Sequence, residues 1–408
     1  MRFYRDIENR ALSEESLHGR MSFIAGPRQI GKTTLIQGFL KENGQEKLYY
    51  NWDTPSVKRR FAGKSDFFIE DVALEWEKPW VAFDEIHKYP KWKNILKGYY
   101  DEYKERVHFV ITGSAKLDHF RKSGDSLVGR YFLFKMLPLG VKELIHQNAW
   151  QDAGWAPQQK FGVIPQADSK IKEGVEYLLR LTGFPEPLAV GTEDFCQRWR
   201  DNYITLILQE DLRDLTKIIQ IKKLETLLFL LPERVGSPLS LNALCQVLEC
   251  AHGSMRSWLS ALELVYLIFA VTPWTGRLSR SVRKEKKYYF WDTGMVTDPG
   301  KRFENFLAVQ LQRMIAMWNE QGKGSFQLFY LRTKDGREVD FAIADRRQIW
   351  FIVEAKETEK TLSPHLAYFR QKIGDIPAFQ VIHNYEVSEQ KGGNIYLIGI
   401  DRFLNFLP

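Results

Sequence analysis

The chain has 408 residues, 44% hydrophobic and 27% charged, values that exclude a single small domain, a disordered chain and a fibrous or collagen-like repeat. Its net charge of +7 is compatible with a nucleic-acid partner without being diagnostic of one. No apolar run approaches the roughly 18 residues of a membrane span. The opening Met1 to Asp6 is charged where a leader is apolar, and three cysteines cannot form a full disulfide set, so the expectation is a cytoplasmic protein with no membrane partner.

In chain order, residues 1–140 alternate short apolar runs with helical stretches: 21–25, then helical 33–40, 47–51, 81–83 and 107–112. That pattern predicts βαβ units on a parallel sheet. Residues 147–170 lack periodicity and contain Pro157 and Pro165, so a loop or insertion is expected. Helical spacing over 171–181 and 196–215 predicts a helical lid. Three further helices over 221–231, 240–249 and 254–268 precede strand-like 266–271 and 287–291, an order that predicts a winged helix. From Arg302 the expectation is a helix (303–317), three strands (326–332, 338–344, 349–355), a helix near 364–373 and a final strand pair. The domain boundaries that follow are 1–146 for the parallel-sheet core, 147–218 for the insertion and lid, 219–298 for the winged helix, and 299–408 for a C-terminal α/β domain.

Gly26-Pro27-Arg28-Gln29-Ile30-Gly31-Lys32-Thr33 fits G-x-x-x-x-G-K-[ST], between an apolar strand and a helix that opens with Thr34. Such a loop turns backbone N–H groups onto phosphate oxygens, with Lys32 reaching the β and γ phosphates and Thr33 completing a Mg²⁺ shell. ATP and Mg²⁺ are the implied ligands, and Gly26, Arg28, Gln29, Ile30, Gly31, Lys32, Thr33 and Thr34 the binding residues. Trp80 to Phe83 then lead into Asp84 and Glu85; Asp84 would hold Mg²⁺ through water, and Glu85 would polarise the attacking water. The plain alternative is an acidic pair capping the next helix. A third strand ends at Thr112-Gly113-Ser114, where either hydroxyl would sense the γ-phosphate or simply line a small-residue turn. Arg130 is a candidate finger, for its own site or for that of a second copy in a homo-oligomer, or else a solvated surface residue. Asp53 is expected to cap the following helix.

These residues carry a resemblance. GPRQIGKTT, FDEIHK, ITGS and VGRYFLFKMLPLG, with the later Tyr289-Phe290-Trp291-Asp292-Thr293-Gly294, are similar to the AAA-type P-loop ATPases of bacteria and archaea that are fused to a DUF4143-type C-terminal region. The likeness covers most of the chain outside 147–170. It implies an α/β fold: a P-loop NTPase parallel sheet with a helical lid, a winged-helix domain and a C-terminal nuclease-like α/β domain.

Glu304 on a helix, Asp340 in Glu338-Val339-Asp340, and Glu354 with Lys356 in Val353-Glu354-Ala355-Lys356 resemble the PD-(D/E)XK nuclease pattern. Period-two alternation puts Glu354 and Lys356 on one strand face. A turn over 345–348 would set Asp340 opposite about residue 353. In a nuclease Glu304, Asp340 and Glu354 would bind Mg²⁺, and Lys356 would act beside the scissile phosphate. The alternative is a cross-strand ion pair on a solvated face.

The one dense basic patch is Arg277, Arg280, Arg283, Lys284, Lys286 and Lys287, against Glu285 alone. With Arg256 on the preceding helix it would form the wing and recognition helix of a DNA-binding module, or a solvated hairpin that contacts protein. Trp258 and Trp274 would stack on bases or pack in the core. Two functions stand side by side: an Mg²⁺-dependent ATPase coupled to DNA binding and processing by a nuclease or branched-DNA motor, and a nucleotide-controlled regulatory or defence switch whose nuclease-like domain only binds.

Overall fold

The apolar runs of the first 135 residues become the strands of one parallel sheet. In the computed structural model, which describes residues 3–73, 76–113, 117, 127–145, 165–212, 220–276, 285–345 and 348–407, the chain divides into two compact units, Met1–Pro138 and Leu139–Pro408.

Among the described residues of the first unit, β1 (Met21–Ala25), β2 (Tyr49–Asn51), β3 (Trp80–Asp84), β4 (His108–Gly113) and β5 (Tyr131–Lys135) lie in the order β2-β3-β4-β1-β5, all parallel. β1, β3 and β4 are buried along their whole length, which is why they read as unbroken apolar runs rather than alternating ones. β5 is at the edge and leaves Phe132 39% exposed. Helices α1 (Lys32–Glu42), α2 (Pro55–Gly63) and α3 (Trp92–Tyr103) follow β1, β2 and β3. The core is aromatic: the Phe83 ring lies 5.4–5.8 Å from those of Tyr50, Trp52, Phe68 and Tyr99. Each such pair adds about 0.5–1.5 kcal/mol beyond area burial.

In register, Ala25 lies beside Gly113 and Thr112 beside Asp84, so the carboxyl ends of β1, β4 and β3 form one line. An open parallel sheet binds ligands there, because its crossovers leave a crevice beyond those ends.

In the second unit, short helices at Val141–Ile145 and Pro185–Val190 accompany α4 (Ser169–Arg180) and α5 (Glu193–Leu206). It continues through α6 (Ile221–Leu230), α7 (Leu241–Val247) and α8 (His252–Leu264) to a hairpin of β6 (Ile268–Pro273) and β7 (Lys287–Phe290). Next come α9 (Pro299–Glu320), β8 (Gln327–Arg332), β9 (Glu338–Ala344), β10 (Ile349–Lys356), α10 (Pro364–Ile373), β11 (Ala378–Ile382), β12 (Glu389–Gln390), β13 (Ile395–Gly399) and α11 (Ile400–Phe406). Where a final strand pair is expected, three strands and a helix stand instead.

Among the described residues the strands of this unit make one sheet in the order β12-β13-β11-β10-β9-β8-β6-β7. β6 pairs in parallel with β8 through Thr272 and Pro273, so the hairpin continues the C-terminal sheet across the boundary expected at 298 and 299. The expected loop or insertion over 147–170 falls largely on residues outside those described; of it, 165–168 lack regular structure and α4 begins at Ser169.

The register of β9 and β10 refines the pairing read from the turn. Ile349 lies across from Ala344, but a bulge before Phe351 moves the register by one, and Val353 then faces Phe341. Asp340 thereby comes next in line with Glu354. On α9, Asp298 caps the helix by accepting from the Lys301 N–H at 2.9 Å, with Pro299 at the first helical position. One turn later the fully buried Asn305 accepts from the Phe290 N–H at 2.7 Å and donates to its carbonyl at 2.8 Å, pinning α9 to the end of β7.

The Trp291-Asp292-Thr293-Gly294 segment has a packing role. Asp292 accepts from the Gly294 N–H at 3.0 Å and from Arg200 Nε at 2.7 Å, a buried ion pair. A Cβ on Gly294 would lie 1.8 Å from the Arg200 guanidinium, so only glycine fits.

Candidate functional site

The turn after β1 is built by two glycines with different tasks. Gly31 takes φ +95° and starts α1. At Gly26 the constraint is contact, because a Cβ there would lie 2.1 Å from the Met136 carbonyl oxygen. Lys32 is buried at 8% exposure, and its ammonium donates to the Gly26 and Pro27 carbonyls at 2.9 and 2.6 Å. Thr33 and Thr34 are exposed at the start of the helix, Ile30 is fully buried beneath the loop, and Arg28 and Gln29 lie on its outer side.

Asp84, 2% exposed, is the hub. Its Oδ2 accepts from the Thr33 hydroxyl at 2.8 Å and the Tyr49 phenol at 2.5 Å, and its Oδ1 from the Thr112 hydroxyl at 2.5 Å. The loop, the start of β2 and the ends of β3 and β4 therefore converge on one carboxylate. Tyr49 has no motif around it and was not legible as a site residue. Burial first, and then Asp84, push its phenol well above the usual range.

Glu85 sits at φ +58°, unusual for a residue with a side chain and frequent at functional sites. Its N–H donates to the Thr112 carbonyl at 3.0 Å, which turns the carboxylate out of the strand. Lys88 and His87 each lie 3.5 Å from Glu85 Oε2. Burial raises the Glu85 pKa, and Lys88 only partly offsets it. A Cβ on Gly113 would meet His87 Nδ1 at 2.7 Å, so β4 ends in glycine to admit that ring. Asp53 pairs with Lys88 at 2.6 Å instead of capping α2, whose N-cap is Thr54. Ser114 lies outside the described residues.

A second cluster gathers on the C-terminal sheet. Lys287 on β7 is 0% exposed, and its ammonium lies 2.7 Å from Glu338, 3.4 Å from Asp340 and 3.5 Å from Glu304. Burial alone would lower its pKa, but Glu304, Asp340 and Glu338 outweigh that and hold it charged. Glu304 also accepts from the Tyr289 phenol at 2.7 Å, and Asp340 Oδ2 from the Ala355 N–H at 2.9 Å. Glu354 is 6% exposed and pairs with Lys356 at 3.1 Å. Burial and Asp340 raise Glu354 to about 8, and burial and Asp340 likewise raise Glu304 to about 7. Glu354 Oε2 is buried with no hydrogen-bond partner among the described residues.

The fold brings Glu304, Asp340, Glu354 and Lys356 to one place. A lysine ammonium already faces Glu304 and Asp340. Among the described residues no group of three His, Cys, Asp or Glu side chains has the arrangement of a metal site.

Comparison with known proteins follows these two sites. A family model described as AAA domain matches residues 18–145, and models described as domains of unknown function DUF8612 and DUF4143 match 172–298 and 299–403. An AAA-domain match is thus followed in the same chain by a DUF4143 match. The uncharacterized protein Rv2008c of Mycobacterium tuberculosis is 25% identical over 335 residues, covering 78% of this chain and 66% of its own. The uncharacterized protein MJ1637 of Methanocaldococcus jannaschii is 26% identical over 291 residues, covering 65% of this chain and 59% of its own. This chain therefore spans slightly under two thirds of the length of these relatives. A solved structure of the Aeropyrum pernix ORC1 protein in complex with DNA covers 76% of this chain and 91% of its own at 11% identity, with a TM-score of 0.32, too low to carry an argument.

In the segment matched by the AAA model, Arg130 makes a two-pronged contact with Asp101, at 2.8 and 3.2 Å, on a solvated surface. In the segment matched by DUF8612, Arg256 is exposed on α8, but Trp258 is 3% exposed and packs in the core. Trp274 meets Phe329 edge-on at 4.9 Å, which is packing as well. Lys287, expected on a DNA-facing wing, is corrected to a buried ion-cluster residue. The period-two signal that could have revealed this is Tyr289, two residues on and fully buried on the same strand. Arg277, Arg280, Arg283 and Lys284 lie outside the described residues. Among the described residues, no helix is long and apolar enough to cross a membrane.

Proposed function

We propose that the chain is an Mg²⁺-dependent ATPase in which nucleotide state controls a DNA-binding segment. The observation that carries the reading is the hydrogen bond from Thr33 to Asp84, with Thr112 holding the other carboxylate oxygen. These groups suit Mg²⁺: Thr33 and Asp84 would hold the ion, which when bound with ATP offsets negative charge on the phosphates. Inside the loop the Lys32 ammonium donates to the Gly26 and Pro27 carbonyls, which phosphate oxygens would replace. Glu85, made more basic by burial, would accept the proton of the attacking water. Thr112 would position Asp84. Arg130 would act on phosphate in an assembly of copies that frees it from Asp101.

The helices α6 to α8 and the hairpin after them support a winged helix, with Arg256 and the residues 277–284 meeting DNA phosphates. Of the two outcomes for the C-terminal region, cutting or only binding, the buried Lys287 favours the second: a nucleotide-controlled switch. The test is ATP turnover by wild type, Lys32→Ala and Glu85→Gln, with and without duplex and branched DNA. Turnover lost in both variants and altered by DNA supports the proposal; turnover that survives Lys32→Ala overturns it.

A further inference from the structure

The sheet of the second unit carries four carboxylates at one place: Glu304 from α9, Glu338 and Asp340 from β9, and Glu354 from β10. Glu338 and Asp340 are two residues apart on one strand and share a face. Facing them from β7 is Lys287, whose stem and ammonium are wholly out of water. An ammonium has three N–H donors, and three carboxylates surround this one, at 2.7, 3.4 and 3.5 Å. The Tyr330 ring lies 5.4 Å from the same nitrogen. Of the other oxygens, Asp340 Oδ2 accepts from the Ala355 N–H and Glu338 Oε2 pairs with Arg332 at 2.6 Å; Tyr289 donates to the Glu304 oxygen that already faces Lys287, and Lys356 pairs with Glu354 Oε1 while Glu354 Oε2 has no partner among the described residues. Gly236, at φ +80°, closes over Glu304 so tightly that a Cβ there would lie 2.5 Å from Glu304 Oε2.

We propose that the Lys287 ammonium is the resident cation of this cluster, standing where a nuclease of similar pattern would carry a divalent ion. The cluster therefore binds neither Mg²⁺ nor Mn²⁺, and the region cuts no DNA. The physical reason is exclusion. A divalent ion needs oxygens at about 2.0–2.2 Å, and the ammonium, 3.5 Å from Glu304 and 3.4 Å from Asp340, fills the space in which an ion shared by those two acids would sit. Two cations in one buried space would repel strongly at low dielectric. A lysine tethered on β7 also loses less entropy on filling the position than an ion drawn from water. Its second effect is mechanical: the ammonium ties the β6–β7 hairpin to α9 and β9, so the hairpin is anchored at its base by charge as well as by pairing to β8.

The inference does not depend on ATP hydrolysis, and its test uses the nucleotide-free full chain, so failure of the ATPase reading leaves it readable. Mn²⁺ binding is counted by electron paramagnetic resonance for wild type, Asp340→Asn, Lys287→Met and Lys287→Met/Asp340→Asn. Methionine keeps an unbranched stem and removes the charge. The expected result is equal Mn²⁺ stoichiometry in wild type and Asp340→Asn, one additional Mn²⁺ per chain in Lys287→Met, and loss of that ion in the double variant. One fewer Mn²⁺ in Asp340→Asn than in wild type overturns the proposal. So does a Lys287→Met protein with wild-type circular dichroism that gains no ion. If Lys287→Met does not fold, the comparison of wild type with Asp340→Asn still decides. Metal-dependent cutting of linear or branched DNA by wild type, lost in Asp340→Asn, also overturns it.

Discussion

Thr33 and Asp84 stand fifty-one residues apart in the chain and share a 2.8 Å hydrogen bond. That contact joins the phosphate loop to the end of β3, and Tyr49 and Thr112 complete the set of hydroxyls around the same carboxylate. Tyr49→Phe removes one donor from a buried charge. The expected cost is about 1.5–3 kcal/mol in denaturant unfolding, with ATP turnover reduced while binding is kept. Unfolding and turnover unchanged by the substitution would show that Asp84 does not need the phenol.

Glu85 is the proposed base, and its pKa is raised chiefly by burial. The charged form is the active one, so turnover should fall as pH drops through that raised value. The acid limb of the kcat profile is expected above the ordinary carboxylate range near 4.3. Glu85→Gln should bind ATP, lose turnover and show no such limb. A Glu85→Gln protein that turns over at the wild-type rate removes Glu85 from the role.

The acid cluster makes a second pH prediction, in stability. Glu304 and Glu354 are raised to about 7 and about 8, from an ordinary value of 4.5. Below pH 4.5 they are protonated in folded and unfolded chains alike. As pH rises toward about 7 and 8, the unfolded chain releases these protons first, so their contribution to stability is lost across that window. Glu354→Gln keeps a neutral side chain at every pH and should flatten the decline. Urea unfolding at pH 5, 6.5 and 8 measures it, and equal slopes for wild type and variant would contradict the assignment.

Gly26→Ala places a Cβ 2.1 Å from the Met136 carbonyl, backbone that has no rotamer with which to escape. The loop or the end of β5 must shift, at a cost of roughly 1–3 kcal/mol. Thermal unfolding should show the loss, and nucleotide affinity should fall with it. Wild-type unfolding and affinity would mean that the contact relaxes freely.

Arg256 is exposed on α8, so Arg256→Ala should weaken DNA binding uniformly across sequences and lower the salt slope by about 1. Salt titrations of binding to two unrelated duplexes check this; a sequence-dependent loss would indicate base contact instead.

The nucleotide side of this protein was legible because its signals are local. Gly26 to Thr33, the apolar strand before them, and Asp84 with Glu85 after another apolar run are contiguous patterns, and the parallel sheet follows from the same runs. Even there Tyr49 was hidden, since its contact with Asp84 depends on β2 lying beside β3. Around the hairpin the local signal misled. A basic run reads as a solvated wing, yet Lys287 points inward, beside Tyr289 and against carboxylates from two distant elements.

The sequence by itself determined the phosphate loop, the order of the elements and the four residues Glu304, Asp340, Glu354 and Lys356 that meet on one sheet. Those depend on spacing along the chain, on strand alternation and on the turn between β9 and β10. Only the tertiary structure decided which cation sits among the acids. Lys287 is joined to Glu338 and Asp340 by the pairing of β6 with β8, and to Glu304 by the Asn305 clamp on Phe290. Whether a lysine meets water or carboxylates is set by long-range packing, and burial then makes the electrostatic difference between those two environments large.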